Sequence, residues 1–93
     1  MEFRQIQYFL SVVDTGSFSL AADEHYIGQS SLSKMIISLE KELGVSLFDR
    51  SKRKIFLTAA GEAFLVHARK INDDYKAMLA DLDGYKSAKD YFS

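Results

Sequence analysis

Two clusters of side chains are equipped for chemistry. Gln29, Ser30, Ser31, Ser33 and Lys34 offer one amide, three hydroxyls and one ammonium within six positions. Such groups reach base edges in a DNA major groove: Gln bonds adenine in two-pronged fashion, and Ser serves base or phosphate. The second cluster is Arg50-Ser51-Lys52-Arg53-Lys54, four positive charges in five positions. A run like this is either a solvated loop or a contact for nucleic-acid backbone or minor groove. Ser17 and Ser19 would open a short helix, where N-terminal amides hold a phosphate.

Other chemistry finds little support. There is no Cys, which removes disulfides, thiolate catalysis and thiolate metal sites and fits a reducing compartment. His25 and His67 are the only histidines, and neither has a partner at metal-ligand spacing. Asp73 and Asp74 are adjacent, so on a helix they diverge, which is poor geometry for an acid/base pair. None of the five glycines stands in a G-x-G pattern, so no phosphate-cradling loop is expected. The expectation is a protein that is not an enzyme and needs no metal or cofactor.

Charge agrees only when read locally. The formal net charge is −1 and the pI about 6.1, whereas a nucleic-acid binder usually has a pI above about 9. Four of the twelve basic side chains gather at residues 50–54, while Asp73, Asp74, Asp81, Asp83 and Asp90 lie in the last third, where they would face away from DNA. The longest apolar runs, Ala63 to Val66 and Ala77 to Ala80, are four residues, against about 20 for a bilayer span. Glu2, Arg4 and Asp14 interrupt the N-terminus, so no secretory signal is read and a cytoplasmic location is expected.

The elements that must position these groups follow from spacing. The chain has 93 residues and no Pro, enough for one small domain, or a domain with an appendage. Phe3, Ile6, Phe9, Leu10 and Val13 mark one face of a helix over about 3–14, and Gly16 suits its left-handed end. Ser17 caps a short second helix whose inward face, Phe18, Ala21 and Ala22, lets another helix approach. After a tight turn at Tyr26-Ile27-Gly28, a third helix runs from about Gln29 to Leu43, with Leu32, Ile36, Leu39 and Leu43 buried and Gly44 closing it. Val45 to Asp49 and Lys54 to Leu57 read as a hairpin with a basic tip. Thr58 caps a long helix, and Gly61 in its first turn points to close contact with another backbone, since Gly there costs about 1 kcal/mol against Ala. Two helices joined by a tight turn, then a hairpin, predict a mainly α, winged helix-turn-helix domain over residues 1–58.

The long helix over 59–93 cannot satisfy itself. Phe64, Ala68, Ile71, Tyr75, Met78, Leu82 and Tyr85 repeat at 4, 3, 4, 3, 4 and 3, a helix-pairing seam. Residues 59–85 would span about 40 Å, whereas a 58-residue globule has a radius of gyration near about 10 Å. A second copy is the simplest cover for a seam that outruns its own core. Val66, Leu79 and Tyr91 extend the surface to be buried.

The motifs Phe9-Leu10-Ser11-Val12-Val13, Gly16-Ser17-Phe18, Ala21-Ala22, Gln29-Ser30-Ser31-Leu32-Ser33-Lys34, Ile36, Leu39-Glu40-Lys41-Glu42-Leu43-Gly44-Val45, Leu47-Phe48-Asp49-Arg50, Leu57-Thr58 and Gly61 resemble the N-terminal DNA-binding domain of LysR-type transcriptional regulators. The resemblance covers roughly residues 2–66. It implies a bacterial winged helix-turn-helix regulator that binds interrupted palindromes as a dimer or a pair of dimers, paired through the linker helix. Gln29, Ser30, Ser33 and Lys34 would then read bases, and Arg50 with the basic wing would contact backbone. It also implies a C-terminal effector domain that these residues do not include, so the chain reads either as a fragment of a regulator or as a natural short form, the fragment being favoured because the seam helix ends without a compact continuation. A small-molecule effector would act only through that missing part, and tetramers only in the longer protein.

Some positions depart from the family pattern. Gly28 stands where Ser is common, which removes a side-chain cap from the reading helix. His25 replaces a usual Leu, Lys34 a frequent Arg, and the tip Ser51-Lys52-Arg53 lacks the frequent Gly. Met35 and Ile37 replace polar or basic residues, which points to fewer phosphate contacts or to contacts with thymine methyls. The expected partners are double-stranded DNA and a second copy of the chain, with no membrane. The alternative is a protein-interaction module whose long helix binds a different protein.

Overall fold

A computed structural model describes residues 1–90, with side chains to Lys86; Tyr91 and the side chain of Asp90 lie outside the described residues. The order is α1 (Phe3–Thr15), α2 (Phe18–Glu24), α3 (Gln29–Leu43), β1 (Phe48–Asp49), β2 (Phe56–Leu57) and α4 (Ala59–Asp90). This is the winged helix-turn-helix arrangement anticipated from the spacing.

Each boundary has a local cause. Glu2 N–H donates to Gln5 Oε1 at 2.8 Å at the start of α1, and Gly16 ends it at φ 70°. Ser17 Oγ accepts from Leu20 N–H at 3.1 Å and caps α2. In the turn before α3 the left-handed residue is Tyr26, at φ 56°, so the conformation that usually falls to Gly is carried by an aromatic. Its neighbour closes the end of α2: Ile27 N–H donates to the Ala22 carbonyl at 3.1 Å. Gly28 leaves α3 without a side-chain cap.

The core lies where α1, α2 and α3 meet under the hairpin. Leu32, Ile36 and Leu39 of α3 are fully buried with Phe9, Val12 and Leu47, and Ala21 and Ala22 let α2 lie close. Gln5 Nε2 donates to the Met35 carbonyl at 3.2 Å and ties α1 to α3. Met35 itself packs against the core, so of the two apolar residues expected near the groove only Ile37 faces solvent.

The hairpin is shorter than its β-forming residues predict. Only Phe48↔Leu57 and Asp49↔Phe56 pair. Upstream, the Leu47 and Phe48 amides donate to Glu40 Oε2 at 2.6 and 3.3 Å, and downstream Asp49 Oδ1 takes the Ser51 amide at 3.0 Å. The donors that would lengthen the ladder are used elsewhere.

Helix α4 starts at Thr58, whose Oγ1 accepts from Gly61 N–H at 2.9 Å. A Cβ on Gly61 would collide with the Leu47 carbonyl oxygen, so the close backbone approach anticipated there is real. The seam divides. Ala68 is 1% exposed, Phe64 packs on the core with its ring 4.8 Å from Phe9, and Tyr75 lies 4.6 Å from Phe3. These three are covered largely by the chain's own body, because α4 lies along α1 for its first half. Ile71, Met78, Leu79, Leu82 and Tyr85 remain exposed. Val66 is exposed too, but it sits roughly 160° round the helix from Leu82 and cannot join their stripe. The principal extents are 57 × 26 × 21 Å, the long axis being that of a helix that outruns its core.

Candidate nucleic-acid interface

Helix α3 exposes one arc of its surface. At about 100° per residue, Gln29, Ser33, Ile37, Ser30, Lys41 and Lys34 follow one another round that arc. Ser31 lies beyond them at the far edge, about 160° from Ser33. The five side chains expected to read bases are therefore not equivalent: Gln29 and Ser33 face the hairpin, Ser30 and Lys34 face outward, and Ser31 faces away.

The hairpin closes one side of this arc. A groove of 240 Å³ is lined by Gln29 and Ser33 together with Arg50, Lys52 and Lys54. A neighbouring groove of 550 Å³ joins Ser17, Ser19 and Gln29 to Arg53 and Lys54. Eight of the eleven residues singled out for base or backbone contact thus line two adjoining grooves. Ser17 already uses its hydroxyl to cap α2, so its remaining capacity toward a ligand is one lone pair and the hydroxyl proton.

The cations differ in what balances them. Among the described residues Lys34, Lys52, Arg53 and Lys54 make no ion pair. Lys52 lies over the Phe56 ring at 5.0 Å. Arg50, in contrast, places Nη1 3.0 Å from Glu40 Oε1, and its guanidinium carbon stands 5.6 Å from the Phe18 ring centre. Its role is at least partly internal. Asp49 adds one negative charge to the wing: the Ser51 hydroxyl, and then its amide, hold this carboxyl below its ordinary value of 3.8.

Glu40 was missed by sequence reasoning. Its side chain is 10% exposed and binds Leu47, Phe48 and Arg50. A signal existed, since Glu40 stands four residues after buried Ile36 and so flanks the buried stripe. His25, which departs from the usual Leu, is accommodated by polar packing: its Nε2 lies 2.7 Å from Ser11 Oγ, and its ring meets Tyr8 edge-on at 4.7 Å. No group of His, Asp or Glu among the described residues is arranged to hold a metal. No helix there is long and apolar enough to cross a membrane.

Three helices, a small-residue contact at α2 and a cationic two-stranded wing beside α3 define a winged helix-turn-helix domain. The comparisons specify which kind. The chain belongs to the lysR family of bacterial regulatory helix-turn-helix proteins, whose profile matches residues 3–62. The HTH-type transcriptional regulator TcbR of Pseudomonas sp. (strain P51) is 46% identical over 71 residues, 76% of this chain and 24% of that protein. ShiR of Corynebacterium glutamicum (strain R), another such regulator, is 52% identical over 71 residues, again 76% of this chain and 24% of the relative. The chain spans about a quarter of the length of these relatives.

Solved structures agree. The BenM_DBD/catB site 1 DNA complex is similar with a TM-score of 0.88 at 37% identity, covering 94% of this chain and 97% of that one. The CbnR_DBD–DNA complex is similar with a TM-score of 0.74 at 42% identity, covering 95% of each chain.

Proposed function

We propose that this chain binds double-stranded DNA sequence-specifically, as the DNA-binding domain of a LysR-type transcriptional regulator. Helix α3 enters the major groove and the hairpin follows the backbone. The observation that carries this reading is that Gln29 and Ser33 share one groove with the cations of the wing. Base-reading groups and phosphate-neutralising charge act together only when both face the same ligand. Solved DNA complexes of the relatives BenM and CbnR support it.

Gln29, Ser30, Ser33 and Lys34 read or approach base edges. Lys52, Arg53 and Lys54, with Ser17 and Ser19, position the domain on phosphates. The unit that does this is residues 1–58, and the helix from residue 59 is the pairing arm. Two copies pair through Ile71, Met78, Leu82 and Tyr85, which sets two α3 helices at the spacing of an interrupted palindrome. Phe64, Ala68 and Tyr75 serve the arm by fixing it to the body. The binding calls on no cofactor, and a small-molecule effector would act only through a C-terminal effector domain, if the regulator carries one.

The division between reading and positioning is tested by two variants. Gln29→Ala relaxes preference at one base pair, by about 1–3 kcal/mol of discrimination. Lys52→Ala weakens all sequences about equally and lowers the salt dependence. Equal behaviour of the two variants overturns the division.

A second reading rests on the exposed stripe of α4: a protein-interaction module whose arm binds a different protein. Light scattering separates the two, because a monomer without affinity for DNA favours the module.

A further inference from the structure

Ile37 is 43% exposed at the centre of the cationic arc of α3. It lies one turn beyond Ser33 and one turn beyond Lys34, spacings at which helical side chains are surface neighbours. Lys41 follows it by one further turn. Ile37 itself lines a shallow groove with Glu40, Lys41, Val45 and Arg50, the Glu40 carboxylate being held by Arg50. The other large apolar residues of α3 turn inward: Leu32, Ile36 and Leu39 are fully buried, and Met35 and Leu43 pack on the core. Ile37 is thus the one large apolar side chain of α3 left facing outward, and it does so among polar and charged groups, Lys34 and Lys41 included.

Two occupants suit an exposed apolar side chain. A protein partner needs a broad apolar patch, but round Ile37 the helical neighbours are Ser33, Lys34, Glu40 and Lys41, with Val45 alone adding apolar surface. A DNA major groove offers hydrogen-bond acceptors to the lysines and one apolar group on the base edges, the C5-methyl of thymine. We propose that Ile37 is a specificity-determining residue that selects thymine at one position of each half-site by packing against that methyl. This rests on the DNA-binding reading above and adds to it a base identity that the hydrogen-bonding residues do not supply.

The test starts from duplexes selected by the chain from a random pool. Each thymine of the selected site is replaced in turn by deoxyuridine, which keeps every base-pairing group and removes only the methyl. Affinity is then measured for the native chain and for Ile37→Ala and Ile37→Val. One thymine per half-site is expected to matter: deoxyuridine there weakens native binding about fourfold, the effect of withdrawing roughly one methylene-sized apolar contact. Ile37→Ala binds both duplexes alike, and Ile37→Val, which keeps a branched apolar surface, retains part of the preference. A native chain indifferent to deoxyuridine at every position, or an unchanged preference in Ile37→Ala, overturns the inference while leaving DNA binding intact. A chain that enriches no sequence from the pool overturns the DNA-binding reading and this inference with it.

Discussion

The Glu40 carboxylate holds Arg50: Nη1 lies 3.0 Å from Oε1 and 3.3 Å from Oε2. The same carboxylate accepts the Leu47 and Phe48 amides. One buried anion on the candidate reading helix therefore anchors the first strand of the wing and sets how wing and helix face each other. Glu40→Ala strands two buried amides and is expected to cost about 2–6 kcal/mol, at roughly 1–3 kcal/mol for each unsatisfied group. Arg50→Ala is expected to cost less, because Arg50 is 43% exposed and its loss leaves the amide bonds to Glu40 intact. Urea unfolding of both variants checks the order, and an Arg50 variant as damaged as the Glu40 variant contradicts it.

Gly61 offers a test in which two effects oppose. Gly61→Ala would gain about 1 kcal/mol of helix propensity. It would also drive a methyl into the Leu47 carbonyl and to 3.0 Å from Leu57 Cδ2. Overpacking of this kind costs about 1–3 kcal/mol, and here the obstacle is backbone already bonded to Thr58 N–H at 3.0 Å, which cannot swing aside. Net destabilisation is expected in thermal melting. A higher melting temperature would show that the contact between α4 and the hairpin is loose.

Asp14 and Arg69 tie α1 to α4 through two hydrogen bonds of 2.7 and 3.1 Å. The bond from Arg69 holds the Asp14 carboxyl below its ordinary value of 3.8; burial opposes this, and the charges of Arg69 and Lys76 add to it. A depressed folded-state value means that the stabilisation is complete above the ordinary value and is lost as pH falls through the folded one. Both partners are about half exposed, so Asp14→Asn is expected to cost only about 0.2–1 kcal/mol at neutral pH. Below the folded-state value the native and variant proteins should melt alike. A difference that persists or grows in acid contradicts this assignment.

Leu82 stands beyond the reach of the body and is 54% exposed. Leu82→Asp is expected to turn a dimer into a monomer in sedimentation while leaving the melting of the body nearly unchanged. Tyr75→Ala should do the reverse, since Tyr75 packs on Phe3. A Leu82 variant that stays dimeric at micromolar concentration contradicts pairing through the distal arm.

What was legible in the sequence was mostly local. The spacing of Leu32, Ile36 and Leu39 located α3, Gly16 and Gly44 located two helix ends, and Thr58 with Gly61 located the start of α4 and its close contact. Periodicity could not say which of two surfaces would cover Phe64, Ala68 and Tyr75, because a partner helix and the chain's own α1 demand the same apolar spacing. Strand length was overestimated at Val45–Leu47, since β propensity is blind to a carboxylate seven residues away that takes the ladder's donors. For the same reason Arg50 looked like one more free cation: its partner Glu40 is near only once the hairpin folds back on α3.

With Arg50 balanced internally, four cations per copy enter an upper bound on phosphate contacts: Lys52, Arg53 and Lys54 of the wing, and Lys34 should it meet a phosphate rather than a base edge. The most direct measurement is the salt dependence of affinity for a selected duplex, followed by fluorescence anisotropy. Eight contacts from a pair of chains set a log–log slope of about −7 as the upper bound, and Lys52→Ala should make it shallower by about 2, one for each copy. A steep slope that Lys52→Ala reduces and Arg50→Ala leaves nearly unchanged is the result expected of this surface. A slope near zero would mean that the wing meets no phosphate and that α3 does not lie in a DNA groove.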